Sequence, residues 1–405
     1  MRKTAWTALA FCLLVSSPVV RAADAGPFLQ VNGHKVRVRI SGTPRPGLPA
    51  VIFESGIGTP SENWGGVQSE IAKETVTLSY DRMGLGSSES DGIPPTTEHI
   101  VDNLHAVLLA SGIAPPYVMV GHSLGGPILR MYAAQYPKEI AGLVFVDPGD
   151  YSSSAKEIAA SGLAKEAASM DAMRDEAMAK SSPAVMAEYQ EARRMEKSDF
   201  AAFQKLAPLP NVPFVVLIAT QPLPPPNGFH FDGDFAAFIR EGLREHLAHA
   251  NEWVRSVDEG WLTVTPNSSH YIQNSEPELV VWAIHKTLYP DIDRQLTKAM
   301  QAGGADAVVQ RYKSIQAIYP ADRLSPRPLN HIGYALLRAK QPEDAIKVFA
   351  FETEAFPKDW NAFDSLGEAY NEAGQKQLAL QAYTRSVDLN PKNTNGVNMI
   401  QKLKQ

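Results

Sequence analysis

Residues 118–126 read VMVGHSLGG, a short apolar run that ends in a Gly-x-Ser-x-Gly pentapeptide. The apolar residues predict a buried parallel strand, and the residues after Gly125 have the pattern of a helix. So sharp a strand-to-helix turn leaves no room for a Cβ at Gly121 or Gly125. Glycines beside a serine also occur in ordinary surface turns, but the flanking strand and helix favour Ser123 as a nucleophile.

The start of the chain, from Met1 to Ala22, has the pattern of a secretory signal peptide. Arg2 and Lys3 form a basic start, residues 5–15 are apolar, and small Ala22 suits a cleavage site. The apolar core is too short to be a permanent bilayer anchor. We therefore expect an exported protein, periplasmic or secreted, without a stable membrane anchor.

Composition narrows the set of partners. The chain of 405 residues has a formal net charge of −6, which becomes −9 when Arg2, Lys3 and Arg21 leave with the signal peptide. An acidic surface argues against nucleic acid or anionic lipid as a partner. The single cysteine, Cys12, lies in the signal peptide, so the mature chain is expected to fold without disulfides.

Apolar runs predict about eight strands that alternate with helices, the signature of a mainly parallel sheet covered on both faces. Asn32-Gly33 predicts a two-residue hairpin turn near the start. The predicted strands are residues 28–31, 35–40, 51–54, 76–80, 117–120, 142–146, 214–219 and 261–265.

The loops after these strands carry the polar residues. Glycines flank Ile57 after one strand, so its backbone amide is a candidate oxyanion donor beside that of Leu124. After the next strand we expect a tight loop held by an ion pair between Asp81 and Arg82. Thr97 is expected to cap a helix that Gly112 ends.

Residues 151–210 differ in composition from the predicted strands and helices on either side of them. They are rich in Ala, Met, Lys and Glu and predict several amphipathic helices. An insertion between two strands would lie over their carboxyl ends, where ligands bind in open α/β sheets. We interpret it as a lid, although a solvated helical excursion with no role in substrate choice is also consistent with the pattern.

The last third of the chain contains an internal repeat in which matching residues lie 34 positions apart. Four positions recur in register, namely Gly333 and Gly367, Ala345 and Ala379, Phe349 and Tyr383, and Pro357 and Pro391. This offset, with small residues where paired helices touch and proline at the stop, resembles the tetratricopeptide helix-turn-helix pattern. Residues 294–319 resemble a preceding helical unit, and residues 394–403 resemble a terminal capping helix.

Taken with the Ser123 turn, the loop DRMGLGS (81–87) and the loop SHYIQ (269–273), residues 28–290 resemble the α/β-hydrolase superfamily. The resemblance implies a nucleophile, an acid and a histidine in that chain order. Ser123 and His270 fall on the family's motifs, and Ile57 and Leu124 match its oxyanion positions. His122 is expected to pack under the turn.

The acid departs from the commonest family pattern. Many relatives carry it after the strand that corresponds to residues 214–219, but residues 220–226 contain no carboxylate. Asp147 ends the strand that follows the Ser123 helix and is similar to the placement in haloalkane-dehalogenase-like branches. We favour Asp147 over Asp232 or Asp234, while noting that it could instead cap the loop with Pro148.

Serine at the nucleophile position points to acyl transfer. We expect a hydrolase of carboxylic esters, or of thioesters or lactones, with an apolar acyl group, and no cofactor or metal. An amidase or aminopeptidase of the same fold is the first alternative, with Glu157, Glu166 or Glu176 as candidates to grip a free amine. The second is a non-catalytic adaptor whose helical repeats bind a protein partner.

The expected organisation follows from these segments. The fold class is α/β, an eight-stranded α/β-hydrolase sheet followed by an all-α domain. We divide the chain into a signal peptide (1–22), a hydrolase domain (23–290) with a lid (151–210), a helical connector (291–325) and tetratricopeptide-like repeats (326–405).

Overall fold

A computed structural model describes residues 28–152, 161–198, 200–222, 229–289, 291–319 and 321–405. The predicted signal peptide, with Cys12, and Glu157 lie outside the described residues. No helix in the described ranges is long and apolar enough to cross a membrane.

One eight-stranded sheet forms the centre of the first two thirds of the chain, in the order β1-β2-β4-β3-β5-β6-β7-β8. The first two pairings are antiparallel and all others are parallel. The strands are β1 (Phe28–Val31), β2 (His34–Ser41), β3 (Ala50–Glu54), β4 (Thr77–Tyr80), β5 (Tyr117–His122), β6 (Ile140–Val146), β7 (Phe214–Ala219) and β8 (Gly260–Thr265). The predicted mainly parallel sheet of eight strands is therefore confirmed.

The amino-terminal hairpin closes through the predicted two-residue turn. Val31 pairs with His34 across it, and Asn32 and Gly33 have φ of 50° and 87°. Two consecutive left-handed residues match the right-handed twist of the flanking strands, and Asn-Gly is the pair that adopts them most readily.

Helices cover both faces of the sheet. The central strands β3, β5 and β6 are buried almost throughout, as expected of apolar strands that are covered twice. The helices of this region are α1 (Gly65–Ile71), α2 (Thr97–Ser111), α3 (Gly125–Gln135), α4 (Ala164–Met178), α5 (Pro183–Lys197), α6 (Phe235–Arg255), α7 (Ile272–Ser275) and α8 (Pro277–Leu288). Helices α4 and α5 form the insertion between β6 and β7.

Two local predictions were wrong. Helix α2 is capped by Thr96, whose hydroxyl accepts from the His99 amide, because Thr97 already lies within the helix. Asp81 does not pair with Arg82. Its carboxylate instead accepts the backbone amides of Ser61 and Ser87 at 2.8 and 2.9 Å, and so closes the loop by hydrogen bonds to the main chain.

The last third is helical. It comprises α9 (Ile292–Ile318), interrupted at Gly303–Gly304, followed by α10 (Arg327–Arg338), α11 (Pro342–Ala355), α12 (Trp360–Glu372), α13 (Lys376–Leu389) and α14 (Thr394–Leu403). The sequence repeat corresponds to a repeated contact. A Cβ at Gly333 would lie 2.4 Å from the Phe349 ring, and one at Gly367 would lie 2.9 Å from the Tyr383 ring.

The helical region packs directly on the sheet region. One apolar cluster runs from the strands through Ile284 and Leu288 to Leu296 and Leu329. A cation–π contact crosses the same boundary. The Arg323 guanidinium lies 4.6 Å from the centre of the Tyr289 ring.

Candidate active site

Ser123 lies at the sharp turn between β5 and α3. Its φ is 53°, a left-handed conformation that non-glycine residues seldom adopt. Main-chain hydrogen bonds hold this conformation, because the Ser123 amide donates to Val146 O at 3.2 Å and its carbonyl accepts from the Gly149 amide at 2.9 Å. Strain that the surroundings fix in this way is typical of functional positions.

The backbone is tightly packed at the two glycines of the pentapeptide. A Cβ at Gly121 would lie 2.6 Å from Gly125 O, and a Cβ at Gly125 would lie 2.5 Å from Glu54 O. Neither position therefore has room for a larger residue, which confirms the steric reasoning from the sequence.

The loop after β8 brings His270 to this turn. Its Nε2 lies 2.9 Å from Ser123 Oγ, and its Nδ1 lies 2.7 Å from Asp147 Oδ2. Because a carboxylate only accepts, Nδ1 carries the proton and Nε2 is the acceptor for the serine hydroxyl. Serine, imidazole and carboxylate thus form one hydrogen-bonded chain.

Asp147 follows β6 directly and is held from two sides. Its other carboxylate oxygen accepts the Ala219 amide at 2.9 Å, and its own amide donates to Leu217 O at 2.8 Å. Both partners belong to β7, so the neighbouring strand orients the acid. The two other candidate acids lie elsewhere. Asp234 caps α6, and Asp232 is paired loosely with Lys165 at 3.9 Å.

His122 packs beneath the turn, as the sequence indicated, and also supports the His270 loop. Its Nε2 donates to His270 O at 2.8 Å, and the two rings lie 4.6 Å apart. Burial lowers the pKa of His122 to about 3, and the neighbouring His270 acts in the same direction. His122 is therefore neutral at ordinary pH and serves as a hydrogen-bond donor.

The loop after β3 lies against the serine. A Cβ at Gly56 would be 3.1 Å from Ser123 Cβ, so the chain passes Ser123 in close contact just before Ile57. On the other side of the turn, Leu124 precedes the first residue of α3, where free amides and the helix dipole favour negative charge. Leu124 therefore follows Ser123 in the chain, and the loop that contains Ile57 contacts Ser123 in space through Gly56.

A buried charge cluster behind this loop was not predicted. Arg82 pairs with Glu54 and with Glu188 of α5, each at 2.6 Å, and Tyr80 donates to Glu54 at 2.6 Å. Burial by itself lowers the pKa of Arg82, but the two carboxylates hold it above its ordinary value. The guanidinium is thus permanently charged inside the protein.

Part of this charge cluster could have been predicted from the sequence. Glu54 ends a strand that is otherwise apolar and fully buried, and a buried carboxylate requires a partner. Arg82 follows the adjacent parallel strand, so both residues lie at the same sheet edge. Glu188 had no such signal, because it is one of many glutamates in the insertion.

Other predicted polar residues have structural roles or surface positions. Glu166 accepts the Asp234 amide at 3.1 Å, and Glu176 lies on the exposed surface of α4. Within the described ranges, no group of three or more His, Cys, Asp or Glu side chains is arranged to hold a metal ion.

A family model described as alpha/beta hydrolase fold matches residues 49–290. The enol-lactonase from Burkholderia xenovorans LB400 is similar in structure, with 19% identity and a TM-score of 0.45 over 65% of this chain and 99% of that chain.

Two relatives from Bacillus subtilis (strain 168) are similar in sequence, and both are named as uncharacterized. YqjL is 36% identical over 98 residues, 24% of this chain, and YbdG is 31% identical over 126 residues, 31% of this chain. The chain spans 39% of the length of YqjL and 38% of that of YbdG.

Proposed function

Because the chain belongs to the alpha/beta hydrolase family, we propose that it is a serine hydrolase that cleaves a carboxylic ester, or a related thioester or lactone, through an acyl-enzyme. The observation that carries this proposal is the continuous hydrogen-bonded chain from Ser123 Oγ through His270 to Asp147. A nucleophile, a base and an orienting acid within hydrogen-bond reach are the requirements of covalent acyl transfer.

In the first half-reaction, Ser123 Oγ attacks the ester carbonyl carbon while its proton passes to His270 Nε2. Asp147 holds the imidazole in the tautomer that can accept this proton and stabilises the charge that develops. The amides of Ile57 and Leu124 donate to the oxyanion. When the tetrahedral intermediate collapses, the bond to the leaving-group oxygen breaks and that oxygen takes the proton from His270.

In the second half-reaction, water takes the place of the alcohol. His270 Nε2 removes a proton from the water, whose oxygen attacks the acyl carbon, and the bond to Ser123 Oγ breaks as the proton returns to it. In comparable enzymes, each hydrogen-bond donor at the oxyanion lowers the activation free energy by about 3 kcal/mol.

An ester is favoured over an aminoacyl substrate by the partners of three acidic residues of the insertion, while the candidate Glu176 lies on the exposed surface of α4. An aminopeptidase needs a carboxylate free to bind the substrate amine, but Glu166 accepts a backbone amide, Glu188 pairs with Arg82, and Glu191 accepts from Thr97 at 2.8 Å. The insertion instead places an apolar side chain, Val185, against the loop beside Ile57, which suits an apolar acyl group.

The substrate proposal is tested with p-nitrophenyl esters of graded chain length beside aminoacyl anilides. We expect ester turnover that depends on acyl length and is lost in Ser123→Ala. Faster hydrolysis of the anilides would replace the ester assignment with an amidase. A fluorophosphonate probe that gives no Ser123-dependent labelling would instead favour the non-catalytic adaptor.

We also propose the organisation expected from the sequence. Residues 151–210 act as a lid, and residues 326–405 are tetratricopeptide-like repeats that extend the hydrolase structurally. The repeated glycine-to-ring contacts and the apolar cluster shared with the sheet region support this role. Export through residues 1–22 is tested by sequencing the amino terminus of the secreted or periplasmic protein, which should begin at Ala23.

A further inference from the structure

Arg82 uses every one of its N–H groups. Besides the two carboxylates, its Nη1 donates to Ser55 O at 2.7 Å and its Nη2 donates to Gly56 O at 2.7 Å. The remaining donors go to Glu54 and Glu188. A guanidinium with all five N–H groups engaged has a single possible orientation.

The bond to Gly56 O fixes the direction of the neighbouring amide. Gly56 C=O and Ile57 N–H belong to the same planar trans peptide, in which the two groups point in opposite directions. When Arg82 holds the carbonyl on the buried side, the Ile57 amide is directed to the other side. Gly56, the residue that carries this carbonyl, packs against Ser123, because a Cβ there would lie 3.1 Å from Ser123 Cβ.

Glu188 holds the next peptide along the loop. Its Oε2 accepts the Gly58 amide at 2.9 Å while the same carboxylate binds Arg82. Val185, one helical turn earlier on α5, packs against Gly58. A Cβ at Gly58 would lie only 2.7 Å from the Val185 side chain. The peptides on both sides of Ile57 are therefore fixed, the first by Arg82 together with the Thr59 amide, which donates to Gly56 O at 3.2 Å, and the second by a residue of the insertion.

We propose that Arg82 and Glu188 are positioning residues for the oxyanion donor at Ile57, so that the donor is aligned only when α5 of the insertion is seated on the sheet region. This inference rests on the proposed serine hydrolase function. Neither residue touches the reacting atoms. Their effect is to keep the Ile57 amide aimed at the place where the negative charge forms.

Glu191 provides a matched control on the same helix. It is also buried and also joins α5 to the sheet region, because its carboxylate accepts the amide and the hydroxyl of Thr97. It makes no contact with the loop of Ile57 among the described residues. Glu188→Gln and Glu191→Gln each remove one buried charge from the insertion, but only the first disturbs the oxyanion loop.

The experiment compares ester kinetics and inhibition by butylboronic acid in the wild type and both variants. Boron bonds to Ser123 Oγ, the hydroxyl proton passes to His270, and the resulting tetrahedral anion places an oxygen at the oxyanion position. The inhibition constant does not depend on the fraction of active enzyme. Partial misfolding therefore cannot imitate a misaligned donor.

For Glu188→Gln we expect kcat to fall about 10- to 100-fold with KM little changed, since losing one donor altogether costs 10²–10³-fold in comparable enzymes. Boronate affinity should weaken by a similar factor. Glu191→Gln should stay within about 3-fold in both measurements. If Glu188→Gln does not fold, Arg82→Lys makes the same test, because lysine keeps the charge without the paired geometry.

Equal effects in the two glutamate variants, or a loss of kcat with unchanged boronate affinity, would overturn the positioning role. Fluorophosphonate labelling of the wild type separates this result from failure of the proposed function. If the wild type is not labelled at Ser123, the hydrolase assignment itself fails. If it is labelled, the comparison of Glu188 with Glu191 decides the inference alone.

Discussion

The Ser123 site and the carboxyl-terminal helices hold their residues by different means. In the site, Ser123 and Asp147 have left-handed backbones, and directed hydrogen bonds fix each functional group. In the helices, close packing dominates, with Gly333 against Phe349 and Gly367 against Tyr383. Substitutions in the first region should therefore change the catalytic rate with little change in stability, and substitutions in the second should change stability with little change in rate.

The largest expected effect on the rate side is that of Ser123→Ala. Removing the nucleophile of a triad costs on the order of 10⁶-fold in kcat in comparable enzymes, and we expect a loss of at least about 10⁴-fold here. The midpoint of thermal unfolding should stay close to that of the wild type, measured by circular dichroism. If Ser123→Ala still hydrolyses esters at a rate close to that of the wild type, Ser123 is not the nucleophile.

Asp147→Asn should follow, with kcat lowered by about 10³- to 10⁴-fold, because an amide no longer selects the reactive tautomer of His270. Asp234→Asn is the matched control. Asp234 caps α6, and asparagine is an equally good cap, so kcat and stability should both be unchanged. A larger loss of kcat in Asp234→Asn than in Asp147→Asn would show that Asp234, and not Asp147, is the acid of the triad.

Both regions were predictable where local sequence rules apply. The glycines at 121 and 125 followed from sterics, and the helical repeat followed from its constant spacing, whereas His270 followed from the resemblance of its loop to the α/β-hydrolase pattern. The pairing of Arg82 was not predictable in the same way, because adjacency to Asp81 suggested a local partner. The actual partners, Glu54 and Glu188, are brought together only by sheet order and by the seating of α5.

On the stability side, Gly333→Ala should destabilise the protein by about 1–3 kcal/mol, because the new methyl group meets a fully buried ring. Gly242→Ala is the control. It is also within a helix, but a Cβ there meets nothing within 4 Å, so alanine should stabilise by about 0.5–1 kcal/mol. Unfolding in urea measures both. Equal signs for the two would show that packing at Gly333 is not decisive.

Glu352 of α11 is a buried carboxyl group that differs from those near the Ser123 site. Its carboxyl group is buried, and neither oxygen has a well-formed hydrogen bond among the described residues, unlike Glu54 and Glu188 in the first region. Burial raises the pKa of Glu352 from 4.5 to about 8, nearby Asp359 adds to the rise, and Asn330 only partly opposes it. The folded state therefore keeps a proton that the unfolded state loses.

A raised pKa gives stability that is complete below about pH 4.5 and is lost as the pH rises towards 8. Glu352→Gln cannot ionise, so its unfolding free energy should exceed that of the wild type by about 3 kcal/mol at pH 7, and the difference should vanish near pH 4. Exposed Glu354→Gln on the same helix should change stability by less than about 0.5 kcal/mol. A difference that does not vary with pH would contradict a buried, protonated Glu352.

The most direct test of the account is rapid quenching of the protein with a p-nitrophenyl ester, followed by mass spectrometry of its peptides. We predict an added acyl mass on the peptide that contains Ser123, with the acyl group on that serine and absent from Ser123→Ala. An acyl group on another residue, or rapid turnover with no acylated peptide at any quench time, would contradict it.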